Sequence, residues 1–169
     1  MRLPLVGIML YLAGSAFAGP REDVATIATT LLETKEDWGD NSGPMVDQIL
    51  ASVGLPPGNP WCAAFNYYCF SRAGLADAVP RTGWSPSWLA GQKKPADKAQ
   101  TADVFGIYFS SLRRIAHTGI IEKPCKGYCI TIEGNTNNGG SRDGDGVYRR
   151  RRPNKTIVIK DWLEEAVSR

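Results

Sequence analysis

Ala116-His117-Thr118-Gly119-Ile120-Ile121, residues 116–121, is rich in β-branched side chains and reads as a strand. It does not stand alone. Asp103–Phe109 before it, and Tyr128–Glu133 and Val147–Arg152 after it, have the same character, and Thr156–Ile159 reads as a fifth strand. Strands adjacent in sequence and joined by short turns predict an antiparallel sheet. The first half of the chain reads differently. Val24, Ile27, Ala28, Leu31 and Leu32 recur at helical spacing and predict a helix over Arg21–Thr34. A second helix is expected from Pro44, capped by Ser42 or Gly43 and closed by Gly54. A rigid Pro-rich loop, Leu55–Pro60, leads into a third helix over Trp61–Ala73, stopped by Gly74. Helices followed by strands predict an α+β fold, with an irregular stretch from Leu75 to Gln100 between the two halves.

The chain of 169 residues suits one domain with a substantial core, and no repeat, low-complexity tract or internal boundary divides it. Residues 1–18 are expected to be a signal peptide. Arg2 is followed by the apolar run Leu3–Leu12, and Ala16-Phe17-Ala18 is a small-x-small cleavage site. The apolar run is short for a membrane anchor. Residues 19–169 then form a single exported domain, periplasmic or secreted, that meets the membrane only during export. With 20 Lys+Arg against 17 Asp+Glu, the charge excess is too small to point to nucleic acid as a partner. A single histidine excludes multi-histidine metal sites. Asp143-Gly144-Asp145-Gly146 lacks the distal glutamate of a calcium loop and reads as a turn, so neither metal nor cofactor is expected.

Export permits disulfides. Cys125 and Cys129 flank a tight turn, and the sequence leaves open whether they bridge or remain two thiols. Cys62 and Cys69 share a helix face but lie too far apart along it to bridge, and Cys69 reads as a small buried residue.

Cys62 opens its helix, where the positive end of the dipole favours thiolate over thiol. The alternative is a buried, inert cysteine. His117, the only histidine, can accept the thiol proton and return it to a leaving amine, although a lone histidine often serves structure alone. Glu133 ends the next strand and Asn135 lies two residues on. Either can bond the far imidazole nitrogen and hold its tautomer. Glu133–Gly140 otherwise reads as a loop for backbone reasons. A helix-start thiol, then a strand histidine, then a carboxylate on the next strand, is a workable order for a cysteine amidohydrolase.

Pro60-Trp61-Cys62-Ala63-Ala64-Phe65 resembles the nucleophile motif of CHAP-type cysteine hydrolases, relatives of the NlpC-like peptidoglycan peptidases. Asn41-Ser42-Gly43-Pro44, Ala116–Ile121 and Ile130–Asn137 resemble the flanking blocks, and together they span about residues 22–152. The resemblance implies a papain-like fold, with the nucleophile helix packed on an antiparallel sheet. It implies hydrolysis of amide bonds of peptidoglycan, as a muramoyl-alanine amidase or as a stem or cross-bridge endopeptidase; a monomer is the separate expectation for its assembly. Cys62 would be the nucleophile, His117 base then acid, Glu133 the orienting group, and Asn135 a polar assistant. The backbone amide of Cys62 would supply part of an oxyanion hole. Competing expectations are a non-catalytic wall-binding module of the same fold and a hydrolase of a non-wall amide.

Two further features carry weaker signals. Arg149–Arg152 alternates across a strand, so two arginines are expected to face solvent or an acidic polymer and two to support the site. Trp84 and Trp88 are expected to pack under the irregular stretch rather than to line a groove.

Overall fold

A computed structural model describes residues 19–139 and 143–167, so the expected signal peptide at residues 1–18 lies outside the described residues. The chain is α+β: helices from its N-terminal half pack on a five-stranded antiparallel sheet. The helices are α1 (Pro20–Thr30), α2 (Pro44–Ser52), α3 (Cys62–Arg72), α4 (Ser85–Trp88) and α5 (Trp162–Val167). The strands are β1 (Val104–Phe109), β2 (Arg114–Cys125), β3 (Tyr128–Thr136), β4 (Gly146–Pro153) and β5 (Val158–Lys160), in the order β4-β3-β2-β1-β5.

Local chemistry explains most boundaries. Pro20 and Pro44 sit in the first turns of α1 and α2, where a missing N–H costs nothing. Glu22 and Asp23 complement the dipole of α1. That helix ends four residues before the sequence suggested. The hydroxyls of Thr29 and Thr30 turn back onto the carbonyls of Ala25 and Ile27, and Glu33 then adopts a left-handed φ of 70°. At the start of α2 the Asp47 carboxylate accepts from the Gly43 amide and the Ser42 hydroxyl. The irregular stretch holds short 3-10 turns and α4. α5 was not foreseen, although Asp161 caps it by accepting from the Leu163 and Glu164 amides.

Strand alternation sorts the sheet into two faces. Val104, Ile120 and Ile132 join the main core with Val24, Leu50 and Phe65 of the helices. Their neighbours Phe105 and Ile121 join Cys129, Ile157 and Ile159 in a smaller core. The helix layer sits very close to β3. A Cβ added at Gly134 would lie 2.6 Å from the Trp61 ring and 2.8 Å from Cβ of Phe65. Gly134→Ala is therefore expected to destabilise the fold by about 1–3 kcal/mol, read as a lower denaturation midpoint, because rigid aromatic neighbours must move.

One loop expectation changes, and one question that the sequence leaves open is answered. Residues 133–136 do not leave the sheet; β3 runs on to Thr136 past an irregularity between Glu133 and Thr136. Asn135 takes a left-handed φ of 53° there, which asparagine tolerates. Cys125 and Cys129 are free thiols. Register explains this: Cys125 pairs with Tyr128, and Cys129 with Pro124. Directly opposed residues share a face and successive ones alternate, so the two sulfurs point to opposite sides of the hairpin.

The two ends of the described chain are tied by buried charge. Arg21 on α1 bonds Asp103 before β1 at 3.0 Å and Asp161 before α5 at 2.6 Å, and Lys94 lies 3.2 Å from Asp103. Asp103 is fully buried, so these cations compensate a charge that could not otherwise remain in the interior.

Candidate active site

α3 delivers Cys62 at its first residue, 3% exposed. The first intrahelical bond runs from the Phe65 amide to the Trp61 carbonyl, so the Cys62 amide belongs to the unpartnered first turn of the helix. Trp61 is anchored behind it by its indole N–H, which donates to Glu36 Oε1 at 2.9 Å. The Cys62 sulfur lies 3.4 Å from the hydroxyl of buried Ser85, at the start of α4.

β2 and β3 supply the other two groups. His117 is buried opposite Ile107, next to a bulge in β1 between Ile107 and Tyr108. Its Nε2 lies 2.8 Å from Glu133 Oε2. Gly119 makes this approach possible: a Cβ there would meet Phe105 at 2.8 Å and Cγ of Glu133 at 3.0 Å. A carboxylate only accepts, so Nε2 carries the proton and Nδ1 is the ring nitrogen available to Cys62. Nδ1 has no other partner, which leaves it to face the Cys62 sulfur. Catalytic contacts of this kind commonly tighten when substrate binds.

Glu133 is held by three further bonds from two residues. Arg152 on β4 grips it with two bonds, Nε to Oε1 at 2.8 Å and Nη2 to Oε2 at 2.5 Å. The Thr131 hydroxyl donates to Oε1 at 2.6 Å. Burial alone would push the Glu133 carboxyl upward, but Arg152 and then His117 outweigh it and hold the group near 2. For His117, burial favours the neutral ring, yet its interactions with Cys62 and Glu133 raise the imidazolium to about 9. For Cys62, burial favours the thiol, yet His117, then Ser85 and the Thr118 backbone, lower it below the usual thiol range. Cys69 has no such neighbours, and burial raises it well above that range. The opposite directions at Cys62 and His117 favour passage of the thiol proton to the imidazole, which faces a fixed carboxylate.

The structure thus brings Cys62, His117 and Glu133 together. Asn135 is placed elsewhere. Its Nδ2 donates to Asn41 Oδ1 at 2.6 Å, and to Glu36 Oε1 and the Gly144 carbonyl, both at 3.3 Å. It braces the loop whose Glu36 holds Trp61, one link from the nucleophile, and its recorded bonds do not include the imidazole. Ser85, Thr131 and Arg152 were missed as individuals. Arg152 could have been narrowed down, since strand pairing puts alternate arginines on the Glu133 face. Thr131 lies two residues from Glu133 on the same strand and so shares its face. Ser85 lies 23 positions from Cys62, and no local pattern marked it. The remaining arginines do other work: Arg149 pairs with Glu122 at 2.6 Å, and Arg151 lies over the Tyr128 ring at 3.9 Å.

A pocket of about 370 Å³ opens at Cys62, with Ser85, Trp84 and Arg114 among its walls. The two tryptophans separate: Trp88 is fully buried, whereas Trp84 is half-exposed and lines this pocket. Among the described residues no group of three or more His, Cys, Asp or Glu side chains could hold a metal ion. Comparison of the chain with models of known protein families gave no match, and comparison with curated proteins gave none.

Proposed function

We propose that the protein is an exported cysteine hydrolase of papain-like architecture that cleaves amide bonds of peptidoglycan, as an amidase or an endopeptidase. The observation that carries this reading is the buried series Cys62–His117–Glu133, closed by Arg152, at the floor of an open pocket. The Cys62 thiolate attacks the amide carbonyl, and the oxyanion is received by the Cys62 amide in the first turn of α3. The His117 imidazolium gives its proton to the departing amine, leaving a thioester. The neutral imidazole then takes a proton from water, hydroxide attacks the thioester, and the thiolate is released. Glu133 keeps the ring in one tautomer throughout. The peptidoglycan substrate rests on the resemblance of the Cys62 and His117 motif blocks to the CHAP-type hydrolases, and the mature domain is taken to work as a monomer outside the cytoplasm.

The test is muropeptide analysis of sacculi incubated with the wild type and with Cys62→Ala. New amino termini or freed stem peptides are expected with the wild type only. Equal release by both proteins would overturn the mechanism.

A further inference from the structure

Arg114 begins β2, two residues before the pocket residue Ala116 and three before His117. Its guanidinium lies over the Trp84 ring at 4.3 Å, and its Nη1 donates to the Ile115 carbonyl at 3.1 Å. Both side chains line the pocket that exposes Cys62. Among the described residues no carboxylate forms an ion pair with Arg114, although Arg21, Arg149 and Arg152 each have one. Trp84 meanwhile stays 52% exposed, which would be a poor use of a large aromatic whose role was burial alone. A guanidinium stacked on an indole has lost most of its rotamer freedom and presents a fixed fork of donors, which matches the two oxygens of a carboxylate. A pocket of about 370 Å³ suits a ligand the size of a short peptide.

We propose that Arg114, stacked on Trp84, is the carboxylate-recognising wall of the Cys62 pocket, and that the substrate presents a free carboxylate close to the amide being cut. The inference rests on the amide-hydrolase reading above and narrows its substrate class to acidic peptides. A stem peptide whose carboxyl groups are free belongs to that class; its carboxamide derivative does not. Arg114 acts on binding, not on the chemical step, since Cys62, His117 and Glu133 account for the proton transfers.

The experiment uses two matched affinity reagents on the full-length protein: bromoacetyl-alanine, which carries a carboxylate, and bromoacetyl-alaninamide, which does not. In each, the Cys62 thiolate displaces bromide and a carbon–sulfur bond forms, followed by mass spectrometry. The wild type is expected to react about tenfold faster with the acid than with the amide, with saturation by the acid. Arg114→Gln is expected to lose that preference while its Cys62 still reacts with the neutral reagent, which also shows that the variant is folded. Arg114→Lys keeps the charge but not the fork, and is expected to recover part of the preference. Equal rates in the wild type, or a preference that survives in Arg114→Gln, would overturn the assignment while leaving a reactive Cys62. A wild-type Cys62 inert to both reagents would instead overturn the hydrolase reading, and this assignment with it.

Discussion

His117→Gln is expected to lower kcat/KM for amide hydrolysis by about 10³-fold, measured on released muropeptides or a synthetic peptide. Two roles disappear together. The ring that protonates the leaving amine is gone, and so is the neighbour whose interaction most lowers the Cys62 thiol. What remains around the sulfur is burial, the largest influence, which favours the neutral thiol against the weaker pull of Ser85 and the Thr118 backbone. Alkylation of Cys62 by iodoacetamide reads this directly. In the wild type the reaction should persist well below the pH at which an ordinary thiol stops reacting. In the variant it should need pH above the usual thiol range, about 8.5. The wild type should also show an upper limit. Hydrolysis is expected to fall as the imidazolium deprotonates near 9, while alkylation, which needs only the thiolate, continues. Stability follows the same titration. His117 is raised from its ordinary value of 6.5 to about 9, so its stabilising contribution is complete below 6.5 and is lost as pH rises through 9. Glu133, lowered from 4.5 to about 2, contributes fully above 4.5 and loses its contribution as pH falls toward 2. Alkylation of the wild type and variant with the same pH midpoint would contradict the pairing.

Arg152→Met is expected to cost about 3–5 kcal/mol of stability, because it leaves the fully buried Glu133 carboxylate with the His117 imidazolium as its remaining counter-charge. For a domain of this size that corresponds to a fall in Tm of roughly 10 °C. Activity should fall as well, since the Thr131 hydroxyl alone would hold the carboxylate against the imidazole. The double variant Arg152→Met/Glu133→Gln separates the two effects. Removing both charges should return much of the lost stability, because the poorly compensated carboxylate is gone. It should not return activity, because a neutral amide cannot support the imidazolium. Chemical denaturation and hydrolysis of the same preparations supply both readouts. A single variant as stable as the wild type would show that Arg152 does not neutralise Glu133.

The sequence exposed the parts of this site that depend on local pattern. The start of α3 is marked by the Pro-rich loop before Cys62, and β2 by the β-branched residues that follow His117. Together they mark the thiol and the imidazole that meet in the site. The parts that stayed hidden depend on what lies across the sheet. Residues 133–136 have the composition of a turn, yet they continue β3, because Gly134 is spent on the close approach of Trp61 and Phe65. Asn135 seemed placed to reach the imidazole from its spacing, but the irregularity after Glu133 carries it toward Asn41 and Gly144. Arg152 stood inside a run of four arginines, and only pairing with β3 distinguishes the one that clamps Glu133 from its neighbours. The α5 helix was legible in principle from Asp161 and Glu164, a helix-start pattern at the right spacing.

The link from Arg21 to Asp103 and Asp161 also sets an order of events during synthesis. Its partners lie 82 and 140 positions further along the chain, so the helix made first is locked only when nearly the whole described chain is present. Until then Arg21 has at most Asp103 to meet, and α1 is too short to persist alone in water. A chain still emerging from the ribosome therefore keeps α1 loose, and productive collapse waits for residues near the trailing end.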